Sequence, residues 1–249
     1  MIEKLPDLDE WENYFLKNKY NLQKITWNYE DLLSKEERDC ISRSIAKFQL
    51  GEYSEGQKLI EFCEKYSRKY EDKILKKITS LFIKEEQAHS HILKRFMELN
   101  NIATLKNDWT DNIFRFIRSL SGYELSITVL ITAEIIALTY YKALSKATKN
   151  MLLKDICLKI IEEERKHVLY ESMLLKSMRK QKMRISQFFI FVAHKFLFCC
   201  SLLLVLIDHR NVIIRGGFNA YSFLLIYFIN SVKNFSIRFK ERTINIFSY

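Results

Sequence analysis

After Pro6 the chain reaches Tyr249 without another proline, and five glycines are all that further interrupts it. Proline and glycine end helices and shape the many turns a β fold needs, so their scarcity favours long helices. The expected fold class is all-α. A chain of 249 residues is long enough to bury a sizeable core.

Ser34-Lys35-Glu36-Glu37 has the form of a capping box and starts a first long helix, expected to run through Gly51 to about Tyr66. A second is expected from about Glu71 to Leu99, closed by Asn100-Asn101, then a connector over 104–110 and a short helical piece to Leu120. Ser121-Gly122 precedes a third long helix, Tyr123 to Lys149, and a fourth spans Leu152 to Met178. These lengths suit an antiparallel four-helix bundle over 34–180, with a helical extension over 1–33 and a basic, apolar appendage over 181–249.

Between Leu125 and Tyr141, Glu134 is the sole charged side chain. An isolated carboxylate taken out of water protonates, finds a partner or binds a metal. Glu85-Glu86-Gln87-Ala88-His89 and Glu163-Glu164-Arg165-Lys166-His167 both read E-E-x-x-H, which sets a carboxylate and an imidazole three residues apart on one helical face. Glu164 follows Glu134 by 30 residues, and Glu86 follows Glu55 by 31 and Glu52 by 34. Between halves the offset is 79 from Glu55 to Glu134 and 78 from Glu86 to Glu164. The chain reads as a duplicated helical hairpin, each half offering a Glu from its first helix and Glu-x-x-His from its second, which is the pattern of a di-metal site in a bundle core. Glu52 and Glu55 lie one turn apart and either can point inward; Glu55 keeps the repeat, and Leu59 after it mirrors Leu138 after Glu134. Four carboxylates balance two divalent ions, and a set of oxygen and imidazole donors without thiolate suits iron or manganese better than structural zinc.

These motifs resemble the ferritin-like superfamily of di-iron carboxylate proteins, which includes ferritins, rubrerythrins, acyl-carrier-protein desaturases and the hydroxylases of soluble multicomponent monooxygenases. The stretches GEYSEGQKLI, IKEEQAH, GYELSITVLITAEIIALTYYKAL and DICLKIIEEERKHVLY are similar to a group of bacterial ferritin-like proteins. The resemblance implies metal ligation by Glu86, His89, Glu134, Glu164 and His167, with Glu85 and Glu163 hydrogen-bonding the far nitrogen of the opposite histidine. It implies two iron ions, with manganese as the alternative, O2 as co-substrate, and an oxidase, hydroxylase or desaturase of an organic substrate. No catalytic residue is expected beyond the ligands. With no rubredoxin-like CxxC pair, electrons are expected from an external donor. Ferroxidase or iron-handling activity is one alternative; a membrane-associated structural protein with a vestigial site is another.

Other features take plainer readings. His91 is out of phase with His89 and expected at the surface, His194 at a bundle or subunit interface, and Tyr140, Tyr141 and Tyr170 in the core near the ligands. There is no glycine-rich phosphate loop, no G-x-S-x-G elbow and no motif that reads nucleic acid. Cys40, Cys63, Cys157, Cys199 and Cys200 are expected as small buried hydrophobes, and their odd number in a chain with no evident signal peptide points to a reducing, cytoplasmic compartment.

The charge is divided unevenly. Residues 176–249 hold 12 Lys/Arg against 2 Asp/Glu, which accounts for the whole net charge of +10. Gln187 to Ile207 is apolar and long enough to cross a bilayer, but Lys195 at its centre opposes that, and the segment from Tyr221 to Val232 is too short. The expected arrangement is a helical hairpin packed on the bundle or on a second subunit, with Arg179, Lys180, Lys182 and Arg184 also placed to meet an anionic membrane surface.

Overall fold

A computed structural model describes residues 8–27, 30–53, 56–120 less 71–73, 122–180 and 182–219. Among them the fold is all-α: α1 Leu8–Asn18, a 3-10 turn Asn21–Lys24, α2 Lys35–Glu52, α3 Gln57–Tyr70, α4 Ile74–Leu99, α5 Trp109–Ser119, α6 Gly122–Ala147, α7 Met151–Lys180, α8 Arg184–Asp208 and α9 Arg210–Arg215. The described residues up to Gly217 form one compact unit. The apolar segment from Tyr221 to Val232 lies outside the described residues.

The capping box forms. Ser34 Oγ accepts from the Glu37 amide and Glu37 Oε2 accepts from the Ser34 amide. The other oxygen of Glu37 reaches across the chain to the Lys149 amide at 2.6 Å and the Thr148 hydroxyl at 3.0 Å, so one side chain starts α2 and also ties down the turn between α6 and α7. Asp31 and Asn150 cap the free amides at the start of α7 in the same way.

The first long helix expected from the sequence is two helices. Gly51 is carried within α2, but the helix stops at Glu52 and resumes at Gln57. Gly56, at φ +68°, occupies left-handed space, and a Cβ there would lie 2.4 Å from the Ile83 side chain of α4. Only glycine combines that conformation with that approach.

Packing is dominated by two helical pairs, α6 with α7 and α2 with α4, with α4 also against α7. Helix α6 is buried on nearly every side, which is why its sequence is apolar throughout rather than striped. Around this framework α1 lies along α4, while α5, α8 and α9 lie on α6. Gly216 lets the chain after α9 close on α6: a Cβ there would stand 2.4 Å from the Ala143 carbonyl oxygen.

Helix α8 is different. It too is long and apolar enough to cross a membrane, yet only His194, Phe198, Ser201 and Leu202 are buried, a single stripe at helical spacing. Phe188, Phe189, Phe196, Leu203 and Ile207 are more than half exposed. Cys199 and Cys200 share this outward side, so the expectation of buried thiols holds for Cys63 and Cys157 but not for them.

Candidate metal centre

Four helices deliver carboxylates and imidazoles to one interior region. Glu52 is the last residue of α2, Glu86 and His89 lie on α4, Glu134 lies in mid-α6, and Glu164 and His167 lie on α7. The donor atoms of Glu52, Glu86, His89 and Glu164 all fall within 4.8 Å of one another, and so do those of Glu86, Glu134, Glu164 and His167. Glu86 and Glu164 belong to both groups, the place that carboxylates bridging two ions would take. Glu55 lies outside the described residues, and Glu52 is the first-half carboxylate that the structure brings in.

The histidines are oriented alike. His89 Nδ1 faces inward, 3.2 Å from Glu164 Oε1 and 3.7 Å from Glu86 Oε1, and His167 Nδ1 lies 2.8 Å from Glu86 Oε1 and 3.6 Å from Glu164 Oε2. Neither inward nitrogen has a hydrogen bond of acceptable geometry, nor does Glu86 Oε1 or Glu164 Oε2. Donors about 2.1 Å from an ion and at right angles around it stand about 3 Å apart. Donor groups at this spacing could hold metal ions.

The outward nitrogens are held from behind. His89 Nε2 meets Glu163 Oε2 at 2.8 Å, whereas His167 Nε2 lies 3.4 Å from Glu85 Oε1 without a hydrogen bond of acceptable geometry, so the crosswise bond expected of both glutamates is made by Glu163. Behind them stands a layer the sequence did not announce. Asn18, at the end of α1, donates through one Nδ2 to Glu85 Oε1 at 2.7 Å and to Glu163 Oε1 at 2.9 Å, and Asn21 donates to Glu163 at 2.8 Å. Phe15 of α1 packs against His167, Phe82 and Tyr170, so the N-terminal helix seals this side of the centre.

Two further residues emerge. Tyr141, expected as core packing, donates its hydroxyl to Glu52 Oε1 at 2.6 Å. Glu171, one turn beyond His167 on α7, is fully buried and shares a hydrogen bond with the Glu134 carboxyl. The available signal was the run Glu164, His167, Glu171, which continues one helical face.

Charge follows from burial and neighbours. Desolvation, with the repulsion of nearby carboxylates, pushes Glu52, Glu134 and Glu171 well above the usual carboxylate range. Burial also opposes the charge on Glu164, but the two imidazoles beside it win and hold it at about 2. Against their own desolvation, His89 and His167 are raised well above their ordinary value, His89 by Glu163 and Glu164 and His167 by Glu164, Glu85 and Glu86. Without cations the centre thus keeps protons it would give up on binding them.

No family model, curated protein or solved structure matches this chain. The centre's chemistry is read from its own geometry, and one more feature bears on it. A cavity of about 630 Å³ has Glu52, Glu86, Glu134 and Glu164 in its wall. The rest of the lining is largely apolar, including Phe48, Phe82, Phe114, Leu130 and Ile136. Its charged residues are partly occupied: Lys47 pairs with Asp108 at 2.9 Å and Asp208 at 2.5 Å, and Arg115 bonds Asp111 and the Leu50 and Tyr53 carbonyls. The remaining expectations are simple to place: His91 is exposed, and His194 is buried between α8 and α6, bonded to Thr132.

Proposed function

We propose that α2, α4, α6 and α7 form a ferritin-like four-helix bundle holding two iron ions, with manganese as the alternative, and that the protein activates O2 to oxidise, hydroxylate or desaturate an organic substrate. The observation that carries this reading is the convergence of six ligand-type side chains from four helices on one interior region. The residues present fit the ions in type, number and charge. When bound, a pair of iron ions supplies electrons and open coordination positions for O2.

The chain's own groups do the rest. Glu163 fixes His89 through Nε2, and Glu85 faces His167 Nε2 at 3.4 Å, so that each ring would present Nδ1 to the ions. Tyr141 holds one oxygen of Glu52 and leaves the other to face the centre. The cavity sets a mostly apolar wall beside the carboxylates and offers a compartment of the size that binds small organic molecules. That cavity favours an oxidase over an iron store, because hydrated ions gain nothing from phenylalanine and leucine walls. The exposed apolar face of α8 supports a working place at a membrane surface.

The decisive experiment loads metal-free protein with Fe(II) under argon, measures bound iron, and then mixes with oxygen while near-ultraviolet absorption is recorded. About two ions per chain and an oxygen-dependent absorption change are expected, with both lost in Glu134→Ala. Metal content unaltered by Glu134→Ala removes the proposal.

A further inference from the structure

Helix α5 is amphipathic in the reverse of the usual sense. Trp109, Ile113 and Phe116, with Leu120 just after the helix, recur at spacings of four, three and four, the apolar stripe that a surface helix ordinarily turns inward. Here the stripe is outside: these four side chains are between 39 and 63 % exposed, and α5 buries no residue. Phe114, Arg115 and Arg118 of the same helix line the cavity that has Glu52, Glu86, Glu134 and Glu164 in its wall. Phe116 also lines the cavity while being largely exposed, and with the exposed Tyr53 and Lys58 it marks the mouth. Inside, Ala133 is open to the cavity although Thr132 and Glu134 on either side of it are buried.

The cavity also reaches α8, through Val205. Lys47 ties the two helices together there: it pairs with Asp108, which caps the start of α5, and with Asp208, the last residue of α8. Two helices that share one cavity wall therefore both present apolar faces outward, more than scattered surface leucines would explain. A bilayer is the cover that suits them, because Trp and Phe favour the lipid interface and residues 176–249 bring the whole net positive charge to meet anionic headgroups. Resting on the function proposed above, we propose that α5 seats in the bilayer interface and that the substrate is a lipid-soluble molecule, uncharged over the part that enters, which passes from the bilayer at Phe116 into the cavity and reaches the carboxylates. The lining supports this class of molecule. Lys47 and Arg115 are taken up by Asp108, Asp208, Asp111 and two main-chain carbonyls, so the phenylalanine and aliphatic walls dominate what the cavity can bind.

Vesicles of phosphatidylglycerol with brominated acyl chains test the seat of α5, since bromine quenches only tryptophan that touches the chains. The full-length protein has three tryptophans, and Trp109→Phe removes one while keeping the face apolar. Part of the wild-type fluorescence is expected to be quenched, and most of that part to be missing in Trp109→Phe. The neutral probe N-phenyl-1-naphthylamine tests the cavity. Ala133→Phe, which fills the open space and leaves every proposed ligand in place, is expected to weaken probe binding roughly tenfold or more, with vesicle binding and bound Fe(II) unchanged. Leu130→Trp, from the same wall, gives the same reading should Ala133→Phe not fold. No quenching, equal quenching in Trp109→Phe and wild type, or self-association that buries Trp109 without vesicles would each overturn the seat of α5. Probe affinity unaltered by the filled cavity overturns the class of substrate. A wild type that meets both expectations but binds no Fe(II) overturns the metal centre alone, and the failures are thereby told apart.

Discussion

At the scale of single residues, the centre depends on side chains that touch no proposed ligand atom on its inward side. Asn18 Nδ2 donates to both Glu85 and Glu163, the carboxylates that stand beside the two histidines. In Asn18→Ala these two buried acceptors lose charge-assisted donors. The expected cost is about 2 kcal/mol, read by urea denaturation of the metal-free protein. Metal affinity is expected to fall roughly tenfold or more, because each imidazole loses part of what fixes its orientation. Asn18→Asp is expected to be worse than Ala, since it sets a third carboxylate against the pair; equal stability for the two variants would refute the hydrogen-bonding role. Glu134 could be singled out from sequence because one charge in an apolar run has few explanations. Asn18 could not, since its bond to Glu163 spans 145 positions and an asparagine at a helix end has many ordinary uses.

At the scale of elements, α8 is docked by two neutral histidines. His194 meets Thr132 on α6, and His209, just after α8, meets Ser44 on α2, which in turn bonds the Tyr140 hydroxyl. Burial lowers both, helped by Arg179 and Lys195 around His194 and by Lys47 and Arg43 around His209, where Asp208 and Asp108 act in the opposite sense. The folded values are about 3 for His194 and about 4 for His209, below the ordinary 6.5. Because the undocked form takes up protons first, the contribution of these contacts is complete above pH 6.5 and is lost as pH falls toward 4 and then 3. Protection of the amides over 184–215, corrected for the intrinsic pH dependence of exchange, is expected to fall sharply between pH 7 and pH 4.5, and His209→Asn, which keeps a partner for Ser44 without titrating, to flatten that response. An unchanged pH profile in the variant would remove His209 from the account. The other element-level surprise, the break between α2 and α3, shows a limit of local reading. Gly51 and Gly56 look alike in sequence, and only the approach of Ile83 from α4 explains why the chain breaks at one and passes through the other.

At the scale of the whole molecule, a neutral stretch carrying the candidate metal centre is joined to a basic, apolar C-terminal third. Residues 176–249 carry the entire net charge, and α8 presents phenylalanines outward along its length. An exposed apolar face beside Lys180, Lys182 and Arg184 suits the surface of an anionic bilayer, where each cation adds about 1 kcal/mol near the lipid headgroups. Flotation with phosphatidylglycerol vesicles is expected, with much weaker recovery on phosphatidylcholine. Phe188→Glu combined with Phe196→Glu is expected to reduce recovery at least tenfold without changing metal content. Concentration-dependent self-association, with no vesicle binding, would instead assign the face to a second copy of the chain.

The sequence by itself determined the helical class, the capping box at Ser34 and the chemical set of glutamates and histidines, because helix periodicity and lone buried charges are local properties that survive without knowledge of contacts. Tertiary structure alone decided that Glu52 stands in the centre, that Glu171 faces Glu134, and that an N-terminal helix closes the site with Asn18. Each of these depends on which side chains meet across more than thirty residues of chain. Burial and hydrogen-bond pairing, unlike propensity, exist only once the helices have packed.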